Sequence, residues 1–173
     1  MDQITVRSEC ADDIKAIDVV HLSAFEGDDE VGLIDTLRQS SNYIPDLSLV
    51  AEFNRRIVGH ILLTRVRLQN ERDGEDILAL APMAVVPSQS HRGIGTKLVE
   101  HAIRKATELG YGAVVVAGHP DYYQRLGFKP ASDRDLHCSL PISPDLFSVV
   151  ELKEGCLGKG GNIIYPSVFT KVY

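Results

Sequence analysis

The chain has 173 residues, a length that fits one domain with a core of ordinary size, and residues 1–173 are expected to form a single domain. Apolar residues at 44% and charged residues at 24% exclude disordered, collagenous and coiled-coil classes. The 18 Lys and Arg against 24 Asp and Glu leave a formal charge of -6, the wrong sign for a domain that binds nucleic acid or anionic lipid, so a small-molecule partner is expected. The charge is unevenly spread, with 8 basic and 16 acidic side chains in residues 1–86 and 10 and 8 in residues 87–173. Cys10, Cys138 and Cys156 are too few and too irregularly spaced for a disulfide framework or a zinc site, and read as free thiols. The sequence opens on polar residues, and its longest apolar run, residues 77–86, is far short of the roughly 18 residues that span a bilayer. A cytoplasmic location without a membrane partner is therefore expected.

In chain order, residues 3–7 alternate as a short strand does, and residues 9–13 supply capping chemistry for a helix reaching Phe25. Ile14, Ile17, Val20 and Ala24 are its expected buried side. Val31, Ile34 and Leu37 recur at helical spacing and predict a second helix over 29–39. Between the two fall Glu26, Asp28, Asp29 and Glu30, which either cap a helix start or form an acidic rim. Residues 48–53 read as a strand, Asn54-Arg55 as a tight hairpin turn, and residues 56–68 as the return strand. A loop containing Asp73-Gly74 leads to the strand 77–86, whose near-continuous apolar character predicts burial on both faces. Pro82 cannot donate to a ladder, so this strand is expected to bulge or lose a partner there and leave main-chain groups free on one side.

A polar loop, 87–92, precedes the clearest amphipathic helix of the chain, 94–109, with Glu100 and Arg104 one turn apart and Gly110 placed for a left-handed cap. The apolar strand 113–117 completes a parallel strand-helix-strand crossover. Pro120 then opens a short helix that Gly127 ends. Further strands are expected at 147–152 and 162–165. The pattern predicts an α/β fold: a mixed, mostly antiparallel central sheet with one parallel crossover and helices on both faces.

Two segments carry chemistry. In the first, Gly93-x-Gly95 opens the amphipathic helix directly after a buried strand, and exposed amides at such a helix start bind anions, phosphate above all. Leu98 stands where a dinucleotide fingerprint needs a third small residue, and neither Gly95-Thr96-Lys97 nor Gly158-Lys159-Gly160 completes a Walker loop. The alternative is a glycine turn of purely structural use. In the second segment, Tyr122 and Tyr123 lie on the short helix at the carboxyl end of a parallel strand, where ligand crevices of open α/β sheets form. One tyrosine is placed to donate a proton to a leaving group, and the other packs in the core.

Together the segments resemble the GNAT superfamily of acetyl-CoA-dependent N-acetyltransferases, in the order buried strand, Gly93-x-Gly95 turn, amphipathic helix, apolar strand, Tyr123-x-x-x-Gly127-Phe128. Leu80-Ala81-Pro82-Met83-Ala84-Val85, Ile57-Val58-Gly59-His60-Ile61 and Tyr165-Pro166-x-x-Phe169 are similar to its YhbS-like branch. The resemblance implies that main-chain groups of Met83, Ala84 and Val85 pair with the pantetheine arm of acetyl-CoA and meet the oxyanion. It implies that amides of His91, Arg92, Gly93, Ile94, Gly95 and Thr96 hold the pyrophosphate, and that Tyr123 is the general acid for the departing thiolate. Two departures stand out: Ser90 replaces the Gln or Arg common three residues before the first glycine, and Gly118-His119 replaces an asparagine before the tyrosine helix. Glu26, Glu30, His60 and Glu75 are the candidate bases, Glu30 being preferred and His60 reading as a packed sheet histidine. The implied activity is direct acetyl transfer to a primary amine of a small molecule or peptide by a monomer or homodimer that uses no metal. The acidic segment suggests a cationic acceptor. The alternative function is a non-catalytic acyl-CoA sensor.

Overall fold

A computed structural model describes residues 3–71 and 74–173, so Asp73 of the expected hairpin loop lies outside the described residues. The elements are β1 (Thr5–Ser8), α1 (Ile14–Ala24), α2 (Asp29–Arg38), β2 (Ser48–Phe53), β3 (Arg56–Gln69), β4 (Gly74–Val85), α3 (Ile94–Glu108), β5 (Ala113–Ala117), α4 (Pro120–Gln124), β6 (Lys129–Pro130), β7 (Leu136–Cys138), β8 (Phe147–Glu151) and β9 (Gly161–Ile164). They build one sheet in the order β1-β2-β3-β4-β5-β8-β6, with β9 pairing both β3 and β7. Pairing is antiparallel except for β4 with β5 and β7 with β9. The mixed sheet with its parallel crossover is the expected architecture.

Each face of the sheet carries its own core. On one side Leu33, Ile34 and Leu37 of α2 pack with Leu62, Val66, Ala79, Val115 and Phe169. On the other, Ile94, Leu98, Val99, Ala102 and Ala106 of α3 pack with Ile61, Leu63, Leu78 and Val114. The alternation of Ile61, Leu62 and Leu63 between the two cores is the period-2 geometry of a strand buried on both faces. Gly59 lets α3 press on the sheet, because a Cβ there would lie 3.1 Å from Leu98 Cδ1 and 3.2 Å from Ile94 Cγ2. The Asn54-Arg55 turn has both residues at positive φ, 51° and 63°, as a two-residue hairpin of right-handed twist requires.

Several expectations need adjustment. Burial on α1 falls on Ile17, Val20 and His21, whereas Ala24 is exposed, because the helix turns a polar residue inward onto the sheet. The ion pair on α3 joins Lys105 to Glu108 at 3.9 Å rather than Glu100 to Arg104. The short strands β6 and β7 extend the sheet where the sequence offers two or three residues and no readable alternation. Among the described residues no helix is long and apolar enough to cross a membrane.

Candidate active site

The site follows from how β4 fails to pair. Its parallel register with β5 sets Leu78 opposite Val114, Ala79 opposite Val115 and Leu80 opposite Val116, and goes no further. On its other side β4 stays paired with β3 as far as Val85 opposite Gly59, through a bulge in which Ala81 and Pro82 together oppose Leu62. The missing N–H of Pro82 and the bulge turn the strand away from β5. Main-chain groups of Met83, Ala84 and Val85 are thus left without a strand partner on the β5 side, as the sequence predicted.

The loop after β4 runs through a turn at Pro87–Gln89, then His91 at φ 65° and Gly93 at φ 76°, before α3 begins. No side chain caps α3, and the N–H groups of Ile94, Gly95 and Thr96 have no hydrogen-bond partner among the described residues. Free amides at a helix start are the arrangement that suits an anion. Two neighbouring side chains are held elsewhere: Ser90 Oγ donates to Pro87 O at 2.9 Å, and the Arg92 guanidinium lies over the Phe53 ring, 5.8 Å from its centroid. The main-chain amides at the start of α3 are thus open to an anion, and Ser90 adds no side-chain donor to them. At Gly95 an added Cβ would stand 3.3 Å from Tyr122 Oη and 3.7 Å from Met83 Cε, so the helix start, the free β4 edge and α4 converge there. An anion cradle beside an unpaired strand edge fits a substrate with a pyrophosphate and an amide-bearing arm, which is the build of CoA.

The two tyrosines divide their tasks. Tyr122 Oη is 3.1 Å from Thr96 Oγ1 and ties α4 to the start of α3. Tyr123 is the more buried, its ring edge-on to Phe128 at 5.4 Å and to Tyr122 at 5.0 Å, yet it lines the cleft and its hydroxyl has no hydrogen-bond partner among the described residues. Burial, helped by neighbouring Tyr122, raises its pKa and keeps it protonated. Gly118 makes room for this ring: a Cβ there would come within 2.7 Å of Tyr123 Cε2. The position that often holds asparagine thus serves to seat the tyrosine.

A cleft of about 340 Å³ opens at the fork between β4 and β5, lined from the sheet by Leu80, Ala81, Pro82, Met83 and Ala117. Tyr123 closes one side, and Phe25, Glu30 and Leu33 together with Val172 and Tyr173 close the other. Of the four candidate bases only Glu30 lines it. Its Oε2 is buried without a hydrogen-bond partner, and burial, with Asp29 and Asp28 nearby, raises its pKa. The Tyr173 hydroxyl, its pKa pushed up to about 12 by burial with Cys138 and Glu30 adding to the shift, lies within the same electrostatic neighbourhood. Glu26 is exposed and outside the lining, and Glu75 sits at the opposite end of β4.

His60 is fully buried as expected, but in company that the sequence concealed. His60 Nδ1 is 2.8 Å from His21 Nε2, and His60 Nε2 is 2.9 Å from Ser48 Oγ and 3.6 Å from the Glu9 carboxylate. Arg38 at the end of α2 pairs with Glu9 at 3.1 Å. Burial opposes the charge on Glu9, yet hydrogen bonds from His60 and Ser48 and the charge of Arg38 hold its pKa down to about 2. Burial lowers the pKa of His21 to about 3, and that of His60 falls for the same first reason. Ser48 Oγ donates to the Glu9 carboxylate and so accepts from His60 Nε2, which leaves Nδ1 to accept from His21 Nε2 and makes both rings neutral. His21 in turn stacks on Phe25 of the cleft, with ring centroids 6.0 Å apart. Phe25, Leu33, Val172 and Tyr173 were missed as site residues by sequence reasoning. Of the cluster, the sequence signalled only the burial of His60.

Among the described residues no group of three or more His, Cys, Asp or Glu is arranged for a metal ion.

Residues 15–128 match the acetyltransferase (GNAT) family. Similar chains include two uncharacterised Escherichia coli N-acetyltransferases: YjhQ, 36% identical over 80% of this chain and 75% of its own, and YhbS, 32% identical over 96% and 98%. The crystal structure of E. coli YhbS in complex with CoA superposes with a TM-score of 0.89 over 98% of this chain and 93% of that one, at 31% identity. A Brucella melitensis GNAT acetyltransferase in complex with acetyl-CoA gives a TM-score of 0.78 over 96% and 98%, at 25% identity.

Proposed function

Because the chain belongs to the acetyltransferase (GNAT) family, we propose that it is an N-acetyltransferase that moves an acetyl group from acetyl-CoA directly to a primary amine. The observation that carries this reading is that one cleft, at the fork of β4 and β5, meets a protonated tyrosine from one side and a carboxylate with an unpaired buried oxygen from the other. Acetyl-CoA supplies the thioester: a C–N bond forms to the amine, the C–S bond breaks, and the thiolate leaves.

The remaining work falls to the chain. Amides of the loop from His91 to Thr96 bind the pyrophosphate, and the unpaired main chain of Met83, Ala84 and Val85 aligns the arm and meets the oxyanion. The amine arrives as a cation and must lose a proton before it attacks. Glu30 takes that proton, its raised pKa making it the stronger base. The second proton lost by nitrogen balances the one that Tyr123 delivers to sulfur, so the tyrosine is restored at the end of the cycle. A sensor without catalysis would need neither group at the fork.

The test joins two measurements. Calorimetry is expected to find CoA binding by wild type and none by Gly95→Val, whose circular dichroism stays close to wild type. Acetyl-CoA with a panel of primary amines is expected to release thiol. Tight CoA binding with no thiol release from any amine overturns the enzymatic reading in favour of the sensor.

A further inference from the structure

The walls of the cleft discriminate among amines. Glu30 is the one charged side chain that lines it among the described residues, with no Lys, Arg or His beside it. Around Glu30 stand Phe25, Leu33, Val172 and the Tyr173 ring, and the floor is Leu80 to Met83 of β4. Asp28 and Asp29 are exposed and lie outside the lining.

We infer that the acceptor is a primary monoamine on an apolar body of about the size of an aromatic ring. The inference rests on the proposed reading of the cleft as the place where the amine meets the thioester. One carboxylate matches one ammonium. A second ammonium held against Phe25, Leu33 or Val172 would give up hydration and find no counter-charge among the lining side chains. A carboxylate on the acceptor would meet Glu30 with like charge and find no cation. At about 340 Å³ the cleft lies near the lower end of ligand pockets, which suits a small body in contact with its walls. Its apolar walls favour a body that gives up hydration readily.

Matched pairs of probes isolate each element of this inference. Hexylamine against hexamethylenediamine differs by a second ammonium, and phenethylamine against phenylalanine by a carboxylate. Binding to the CoA-saturated protein by calorimetry and thiol release from acetyl-CoA are measured for all four. The monoamine of each pair is expected to bind at least about tenfold more tightly and to show the higher kcat/KM. Val172→Asp, on a half-buried wall residue, adds a second carboxylate and is expected to raise diamine binding at least about fivefold relative to hexylamine. Equal or better binding of the diamine or of phenylalanine by wild type overturns the inference, while thiol release with those same probes keeps the acetyltransferase reading. Selective binding of the monoamines without thiol release does the reverse. Absence of binding by all four overturns the inference whatever the enzyme turns over.

Discussion

Tyr123 and Glu30 reach one cleft from opposite sides of the sheet, and burial raises the pKa of each, which suits an acid that must keep its proton and a base that must hold one firmly. Removing the Tyr123 hydroxyl leaves the ring against Phe128 and Gly118 undisturbed, so Tyr123→Phe is expected to lower kcat by roughly a hundred- to ten-thousandfold with CoA affinity unchanged. If Tyr122→Phe has that effect instead, the proton comes from the tyrosine bound to Thr96, and the roles are exchanged. For Glu30 the sign of the pH dependence is fixed: a base works only when deprotonated, so kcat/KM climbs as pH rises through its pKa. Burial and the adjoining Asp29 and Asp28 displace that rise above the ordinary carboxylate range. Glu30→Gln is expected to lower kcat/KM by about a hundredfold and to abolish this limb of the pH profile. A profile unchanged in shape assigns the limb to another group.

At the scale of elements, the Glu9, Ser48, His60 and His21 cluster fastens α1 to β2 and β3, and Arg38 brings in the end of α2. These are the helices that carry Phe25, Glu30 and Leu33 to the cleft. Their attachment is acid-sensitive in two stages. His21 titrates near 6.5 when unfolded and near 3 when folded, so the unfolded chain binds the extra proton and stability falls as pH drops below 6.5. Glu9, depressed to about 2 from 4.5, adds a loss between those values. Each unit between folded and unfolded pKa is worth about 1.4 kcal/mol. The denaturation midpoint is therefore expected to fall steadily from pH 7 to pH 4, and the double variant His21→Phe, His60→Leu to lose most of the slope between pH 6.5 and 4.5. An equal slope in both proteins places the acid sensitivity elsewhere. Only the burial of His60 was legible in the sequence, because the four residues lie on four separate segments and each alone has an ordinary reading. The fork was legible, since Pro82 in an otherwise apolar strand states locally that the ladder cannot continue.

Across the whole molecule, legibility follows the distance over which a feature is encoded. Strand β4, the glycine turn, α3 and β5 are contiguous, so periodicity and turn chemistry revealed them together with the parallel crossover. The wall of the cleft opposite Tyr123 is assembled from α1, α2 and the last residues, and among its residues the sequence pointed to Glu30 alone, for its charge. The same contrast divides the charge. The half that carries the Gly93-x-Gly95 loop has 10 basic and 8 acidic residues, and the half that carries α1 and α2 has 8 and 16. Asp28 and Asp29 stand exposed beside Glu30, close enough to raise its pKa yet outside the cleft, which separates a long-range effect on the approaching amine from contact with the bound one. Exposed charges act over about 8–10 Å at physiological salt, so their attraction is screened where that of Glu30 within the cleft persists. Asp28→Asn with Asp29→Asn is accordingly expected to lower kcat/KM for a cationic acceptor about threefold at low ionic strength, chiefly through KM, and the difference from wild type is expected to vanish in high salt. A neutral amine surrogate should show no such difference at either salt. If the double variant matches wild type at low salt, these two carboxylates serve only the start of α2, and selection of the cation belongs to Glu30 alone.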